Sequence, residues 1–277
     1  KNQQLAHNLG ITPNDLDVLR NSLNAFKLSA LDYKIQNIST LATDESLQPL
    51  ERATTSLAKF SRMSASEIIT PIKVANEMVA MLPEDHLRNI ITSGEKILDI
   101  ASKAGEYTVA LVKRLEELGF TTKEIRDSIY AIPTSSVAYE FTRRFYEILG
   151  LNTACIAKNF TSYDLLGIKT DNKEVDYNRI TELLSQKKAF AEIKLQDNIQ
   201  GGEKVKFGAI VGNPPYQEAV DGNGRSKPIY PSFMDVSYLL ADETILITPG
   251  RFLFDAGQTP KAWNKKRLHD NHFKVEY

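Results

Sequence analysis

The sequence predicts an α/β fold, a central sheet of short apolar strands linked by helices, with a helical segment in front of it. Three observations carry this reading. Apolar runs of strand length stop at polar or acidic residues, as in Ile97-Leu98-Asp99 and in Phe207-Gly-Ala-Ile-Val-Gly212. Between such runs, apolar residues recur at helical spacing. The chain has 277 residues, 42% apolar and 25% charged, which is enough for a full core with ordinary globular composition.

Taken in order, residues 1–63 have helical character without strand alternation. Leu16, Leu19 and Leu23 recur near helix spacing, polar breaks follow over 37–43, and a further segment covers 50–60. This part reads as a helical linker or brace. Thr70-Pro71 opens the next helix, with Thr70 expected as cap and Pro71 at the first helical position, and Val74, Met78 and Leu82 share a face. Residues 93–107 read as turn, short strand, the acid Asp99 at the strand end, and a small-residue loop leading into a helix. Tyr107, Leu111, Leu115 and Leu118 mark that helix, and Gly119 stops it. Residues 128–136 form the next strand, and Tyr139, Phe141, Phe145 and Tyr146 the aromatic face of a helix. Asp164 is expected as a second acid at a strand end. Residues 167–206 turn charged and irregular around an expected helix over 177–190, and read as an insertion.

The chemistry concentrates behind the strand that ends at Gly212, in Asn213-Pro214-Pro215-Tyr216. Two prolines fix their own φ and remove two backbone donors, so their carbonyls need no ladder partner. The Asn oxygen and a neighbouring carbonyl make two acceptors for the hydrogens of an exocyclic NH2 group. The Tyr ring offers a planar base a face to stack on. The set suits methylation of an amino group on a flipped-out base. The loop from Asp99 through Ala101 to Gly105 lies between a strand and a helix N-terminus, where nucleotide-like ligands bind in open α/β sheets.

At these residues the chain resembles the N6-adenine DNA methyltransferases of restriction–modification systems, above all the large fused methylases. Residues 66–71 match the segment before the first helix. Asp99-Ile-Ala-Ser-Lys-Ala-Gly105-Glu-Tyr107 is similar to the Asp-Pro-Ala-Cys-Gly-Ser-Gly-x-Phe loop, and Asn213 to Tyr216 match the catalytic tetrapeptide in full. The stretches 229–236 and 244–253 are similar to the helix and late strand that follow it. The resemblance covers 64–277 and implies a Rossmann-like S-adenosylmethionine-dependent fold with a mixed central sheet. It implies Asn213, Pro214, Pro215 and Tyr216 as catalytic residues, and Thr70, Pro71, Asp99, Ala101, Gly105 and Asp164 as cofactor-binding residues. Asp164 would meet the adenine of S-adenosylmethionine. The implied partners are double-stranded DNA and other domains or subunits of a restriction–modification system. Two positions depart from the pattern. Lys103 stands where the family loop has Gly, and Pro133-Thr134 occupy the strand end where an acid would hold the ribose.

Other signals are weaker. Glu192-Ile-Lys194 has the spacing of a metal-dependent nuclease but lacks a Pro-Asp partner at a suitable distance. His269 and His272, at i, i+3 without a third ligand, read as a surface turn, so no metal site is expected. A lone Cys155 excludes a disulfide framework and suits a reducing cytoplasm. No apolar run reaches membrane-spanning length and no secretory leader precedes Lys1, while the lack of a starting Met leads us to expect a fragment or processed piece. The net charge of −1 is low for a DNA binder, since affinity comes largely from neutralising phosphates. Arg225 and Lys227 in the loop 222–228, with Lys261, Lys265, Lys266 and Arg267, are the candidate phosphate-facing cations. With no target-reading domain expected in 64–277, weak and unselective DNA binding follows. Two alternatives stay open: a catalytically weak methylase-fold module that positions DNA or regulates, and an amino-methyltransferase with another substrate.

Overall fold

The structure, a computed structural model, describes residues 7, 11–22, 40, 43–59, 68–192, 202–218, 227–254 and 259–274. Its centre is a four-stranded sheet in the order β2-β1-β3-β4, with β1 Lys96–Ser102, β2 Ile129–Pro133, β3 Phe207–Gly212 and β4 Glu243–Leu246. All three pairings are parallel, with Asp99 opposite Ala131 on one side and Val211 on the other. The mixed sheet implied by the resemblance is therefore corrected among the described residues. Helices lie between every pair of successive described strands, which is what a parallel ladder requires. Successive residues of β2 and β3 are buried whichever way they point, so both faces of the sheet are covered.

The helices are α1 Pro13–Ser22, α2 Pro49–Leu57, α3 Ile72–Ala80, α4 Glu84–Ser93, α5 Glu106–Glu117, α6 Thr122–Ile125 and α7 Ser136–Leu149, then α8 Ser162–Leu165, α9 Tyr177–Leu184, α10 Lys187–Ala191, α11 Tyr230–Leu240 and α12 Lys261–Leu268. Leu16 on α1 is exposed, whereas Ala53 and Leu57 on α2 are buried and α2 packs against α5 and α7. The side chains of Leu19 and Leu23 lie outside the described residues, as does the end of the 50–60 segment. Helix α5 buries Tyr107, Leu111 and Leu115, and Gly119 at φ 90° ends it as expected. Helix α7 starts where Ser135 Oγ accepts from Ala138 N at 3.1 Å, and it buries Phe145 and Tyr146 while leaving Tyr139 and Phe141 half-buried.

Four local expectations change. Pro71, not Thr70, is the cap of α3; its carbonyl accepts from Ala75 N at 3.0 Å, and Thr70 makes no side-chain cap. Asp164 ends no strand. Thr161 and Asp164 close a capping box that starts α8, and the expected strand shrinks to one parallel bridge between Ile156 and Ala131. The helix expected over 177–190 is split at Ser185 and Gln186. Main-chain bonds from Val205 N to Ser185 O (2.8 Å) and from Lys187 N to Glu203 O (3.0 Å) pull that chain away from helical pairing. The late strand stops at Leu246, because Pro249 lacks a donor, and a 3-10 turn Gly250–Phe254 follows.

A second, smaller core gathers Tyr230, Met234 and Phe252, with Trp263 and Phe273 packed on it. Trp263 meets Phe252 edge to face at 5.6 Å between centroids, while Phe252 lies tilted against Tyr230 and Phe273. Among the described residues, no helix is long and apolar enough to cross a membrane.

Candidate active site

The chain leaves β1 toward β2 on one side and later returns to β3 on the other. The crevice between the carboxyl ends of β1 and β3 is thus a topological switch point, where parallel sheets bind ligands. Parallel pairing puts two expected segments there together: Asp99 and Ala101 in β1 with Lys103 and Gly105 in the loop after it, and the tetrapeptide after β3. Gly212 makes the approach close, since a Cβ there would stand 3.2 Å from Ile100 Cγ2 and 3.6 Å from Asp99 Oδ1.

Hydrogen bonds join the segments. Asn213 Nδ2 donates to Thr70 Oγ1 at 3.2 Å, which leaves Asn213 Oδ1 as an acceptor. The Tyr107 hydroxyl also donates to Thr70 Oγ1, at 3.4 Å. Thr70 N donates to Glu106 Oε1 at 3.2 Å, and Ala104 N to Glu106 Oε2 at 3.0 Å. Lys103 Nζ donates to the main-chain oxygen of Asn213 at 3.1 Å. Thr70 therefore lies at the site, though not as the helix cap that its sequence context suggests: its hydroxyl faces Asn213 instead of the first turn of α3. Pro71 is exposed beside it.

Within the tetrapeptide, Pro214 and Pro215 are buried, Asn213 is half-buried, and Tyr216 is 39% exposed. Burial pushes the Tyr216 hydroxyl above its ordinary range. The main-chain oxygen of Tyr216 accepts from Ile229 N at 3.0 Å, and Glu218 N donates to Lys227 O at 2.9 Å. These rungs tie the motif to the start of α11.

Asp99 is fully buried. Desolvation first, and then the charge of Glu106, push its carboxyl up to about 8. Oδ1 accepts from Ala101 N at 3.3 Å, while Oδ2 is buried without a partner. An orphaned buried acceptor of this kind calls for a physical reason. Burial raises Glu106 as well. Two buried acids, Asp99 within β1 with an unused oxygen and Glu106 at the N-terminus of α5, fit a ligand that carries hydrogen-bond donors. Sequence reasoning does not single out Glu106, because it stands at the unspecified place of the Gly-x-Phe pattern; its signal is a carboxylate at the first position of a helix. At the end of β2, Thr134 is buried, and its main-chain N donates to Ser102 O at 3.0 Å.

Other expected residues have their own partners or differ from expectation. Asp164 Oδ2 accepts from Thr161 N and Oγ1, both at 2.8 Å, and its free side faces outward. Arg267 is buried, paired with Asp235 and with Asp270 (3.2 Å) and stacked over Tyr238 at 4.3 Å; it is no phosphate-facing cation. Lys227, Lys261, Lys265 and Lys266 are exposed, and Arg225 lies outside the described residues. So does Lys194, while Glu192 only ends a helix and gives its main-chain oxygen to Asn159 Nδ2 at 3.1 Å. His269 Nδ1 contacts Lys265 O and His272 Nδ1 contacts Asp270. No trio of His, Cys, Asp or Glu able to hold a metal occurs among the described residues. Burial pushes the Cys155 thiol up to about 11, which leaves it a packing group.

Compared with protein-family models, residues 127–277 match the one described as Eco57I restriction-modification methylase, a stretch longer than half the chain. No curated protein matched the chain.

Proposed function

We propose a specific activity for this chain, which belongs to the Eco57I restriction-modification methylase family and is thereby a methyltransferase: transfer of a methyl group from S-adenosylmethionine to the N6 amino group of adenine in DNA. S-adenosylmethionine, when bound, supplies a methyl group on a positively charged sulfur. The residues suited to hold it are Thr70, Pro71, Asp99, Ala101 and Gly105 around its methionine end, with Asp164 toward its adenine. The orphaned Asp99 Oδ2 and the acid pair with Glu106 suit a cationic, donor-rich group.

The chain's own residues then do three things. Tyr216 offers a stacking face to an adenine that has left the duplex. Asn213 Oδ1 and the Pro214 carbonyl accept the two amino hydrogens, which draws the nitrogen toward tetrahedral geometry and localises its lone pair. The prolines and the rungs to α11 hold those acceptors still, and positioning is the main demand of an in-line displacement. No base of lowered pKa is needed beforehand, since the proton leaves after the nitrogen has become cationic.

The observation that carries this reading is the bond from Asn213 Nδ2 to Thr70 Oγ1, because it commits the amide nitrogen and turns the oxygen into the acceptor. Asn213→Ala should lower methyl transfer to adenine by about 100- to 1000-fold, the usual cost of one oriented polar group at a reacting centre. Cofactor binding should persist. Transfer that is unaffected in Asn213→Ala, or directed to cytosine, would overturn the assignment.

A second reading has its own observation. Lys103 sits on the Asn213 carbonyl, and β2 ends in Pro133 with Thr134 instead of an acid. Both favour a module with weak cofactor affinity that positions DNA or regulates. Calorimetric titration with S-adenosylmethionine separates the two, since a purely regulatory module should release no heat.

A further inference from the structure

Lys103 turns a charged nitrogen inward. Its side chain is 6% exposed, and Nζ lies 3.1 Å from the main-chain oxygen of Asn213. A lysine is rarely so buried unless paired. Here its charge favours ionisation of both Asp99 and Glu106, one within β1, which runs on past the expected strand end to Ser102, and one at the start of α5. The ammonium thus rests on a peptide carbonyl and acts by its charge on two acids, and that carbonyl belongs to the residue whose side chain grips the target amino group in the reading above.

That position matters for the methyl donor. Transfer needs the methyl carbon roughly 3–3.5 Å from the nitrogen it attacks. With that nitrogen hydrogen-bonded to Asn213, the sulfonium must also come to lie close to Asn213. Two positive charges would then share one buried crevice, where like charges are poorly screened. The Asn213 carbonyl already carries the Lys103 ammonium, so a second cation beside it meets repulsion.

We propose that Lys103 is the resting occupant of the site's cation position, leaves the Asn213 carbonyl when the sulfonium enters, and so sets the preference between the charged cofactor and its neutral thioether product. The proposal rests on the methyltransferase reading given above. A lysine suits this role, since its ammonium is a compact charge on a flexible four-carbon stem and can swing away without moving the main chain. Competition of this kind weakens binding of S-adenosylmethionine while leaving S-adenosylhomocysteine, which lacks the sulfonium charge, nearly untouched. The wild-type chain should therefore be unusually sensitive to its own product.

Calorimetric titration of the wild type, Lys103→Ala and Lys103→Gln with each of the two ligands tests this. Gln keeps most of the volume without the charge, and it covers the case in which Lys103→Ala fails to fold. Both variants should bind S-adenosylmethionine about tenfold tighter or more, with S-adenosylhomocysteine changed less than about threefold. Gains of equal size for both ligands would replace charge by plain steric crowding and overturn the proposal. Weaker binding of S-adenosylmethionine in the variants would overturn it too, since Lys103 would then hold the cofactor. If none of the three proteins binds either ligand, the cofactor reading itself fails, and the role given to Lys103 fails with it.

Discussion

Lys103 and Arg267 are both buried beside two acids, one between β1 and β3 and the other under the C-terminal aromatic cluster. Around Arg267 nearly every polar atom is used. Asp235 accepts from Trp263 Nε1 at 3.1 and 3.0 Å and from the guanidinium, Asp270 takes the other arm, and Tyr238 lies under the plane; only Nε lacks a partner. Around Lys103 the nitrogen goes to a peptide carbonyl, and Asp99 keeps an oxygen with no donor at all. A buried acceptor left empty costs stability. The arginine cluster joins its opposite charges to one another and reads as structure, whereas the crevice at Lys103 leaves a buried carboxyl oxygen without a donor and reads as a place kept for a ligand.

The largest effect expected from breaking this comparison is on stability. Arg267→Ala should cost about 1.5–3 kcal/mol in urea unfolding, because the buried guanidinium gives up its charge-assisted bonds to the half-buried Asp235 and Asp270. A loss below about 1 kcal/mol would put the cluster on a level with exposed ion pairs and erase the contrast.

Asp99→Asn should instead change how stability depends on pH. The Asp99 carboxyl rises from 3.8 to about 8 on folding, so the folded chain holds that proton more firmly than the unfolded one. Its stabilising contribution is complete below pH 3.8 and is lost as pH rises through about 8. The wild type should weaken across that window and Asp99→Asn should weaken less, with Glu106 acting in the same direction in both. Superimposable curves would mean that Asp99 ionises as freely as in the unfolded chain.

Smaller effects sharpen the functional side. Tyr216→Ala should slow methyl transfer more than Tyr216→Phe, by about 1–3 kcal/mol, since the ring face matters more than the hydroxyl. Equal losses in single-turnover assays would give the hydroxyl a part of its own. Mildest is the exposed edge of α12. Each of Lys261, Lys265 and Lys266 that meets a phosphate should contribute about 0.9 to the slope of log affinity against log salt. An unchanged slope in the triple alanine variant would move the DNA-facing surface elsewhere.

Much of the sheet is legible in the sequence because its strands are buried on both faces, so Ile97 to Ile100 and Phe207 to Val211 stand out as apolar runs. The meeting of the Asp99 loop with the tetrapeptide follows from the order of elements. What escapes is set by contacts between distant residues. The Thr70 hydroxyl turns from its own helix to Asn213, 143 positions away in the chain. Pairing with residues 203–205 breaks a helix that local spacing favours. Arg267 looks like surface charge because nothing near it in sequence announces Asp235 or Tyr238. Asp164 does carry a nearby signal against a strand end, the Thr161-x-x-Asp164 spacing of a capping box.

The rungs between Tyr216 and Ile229, and between Glu218 and Lys227, have one more consequence. They clamp both ends of the stretch 219–226, so the stacking ring takes its bearings from α11 and not from whatever joins residue 218 to residue 227. Lengthening that connection twofold would cost only about 0.6 kcal/mol in closure entropy. Segments of different size and charge can therefore be exchanged there with Tyr216 left in register, which makes the paired ends at 216–218 and 227–229 a natural socket for grafting new contacts beside the reacting base.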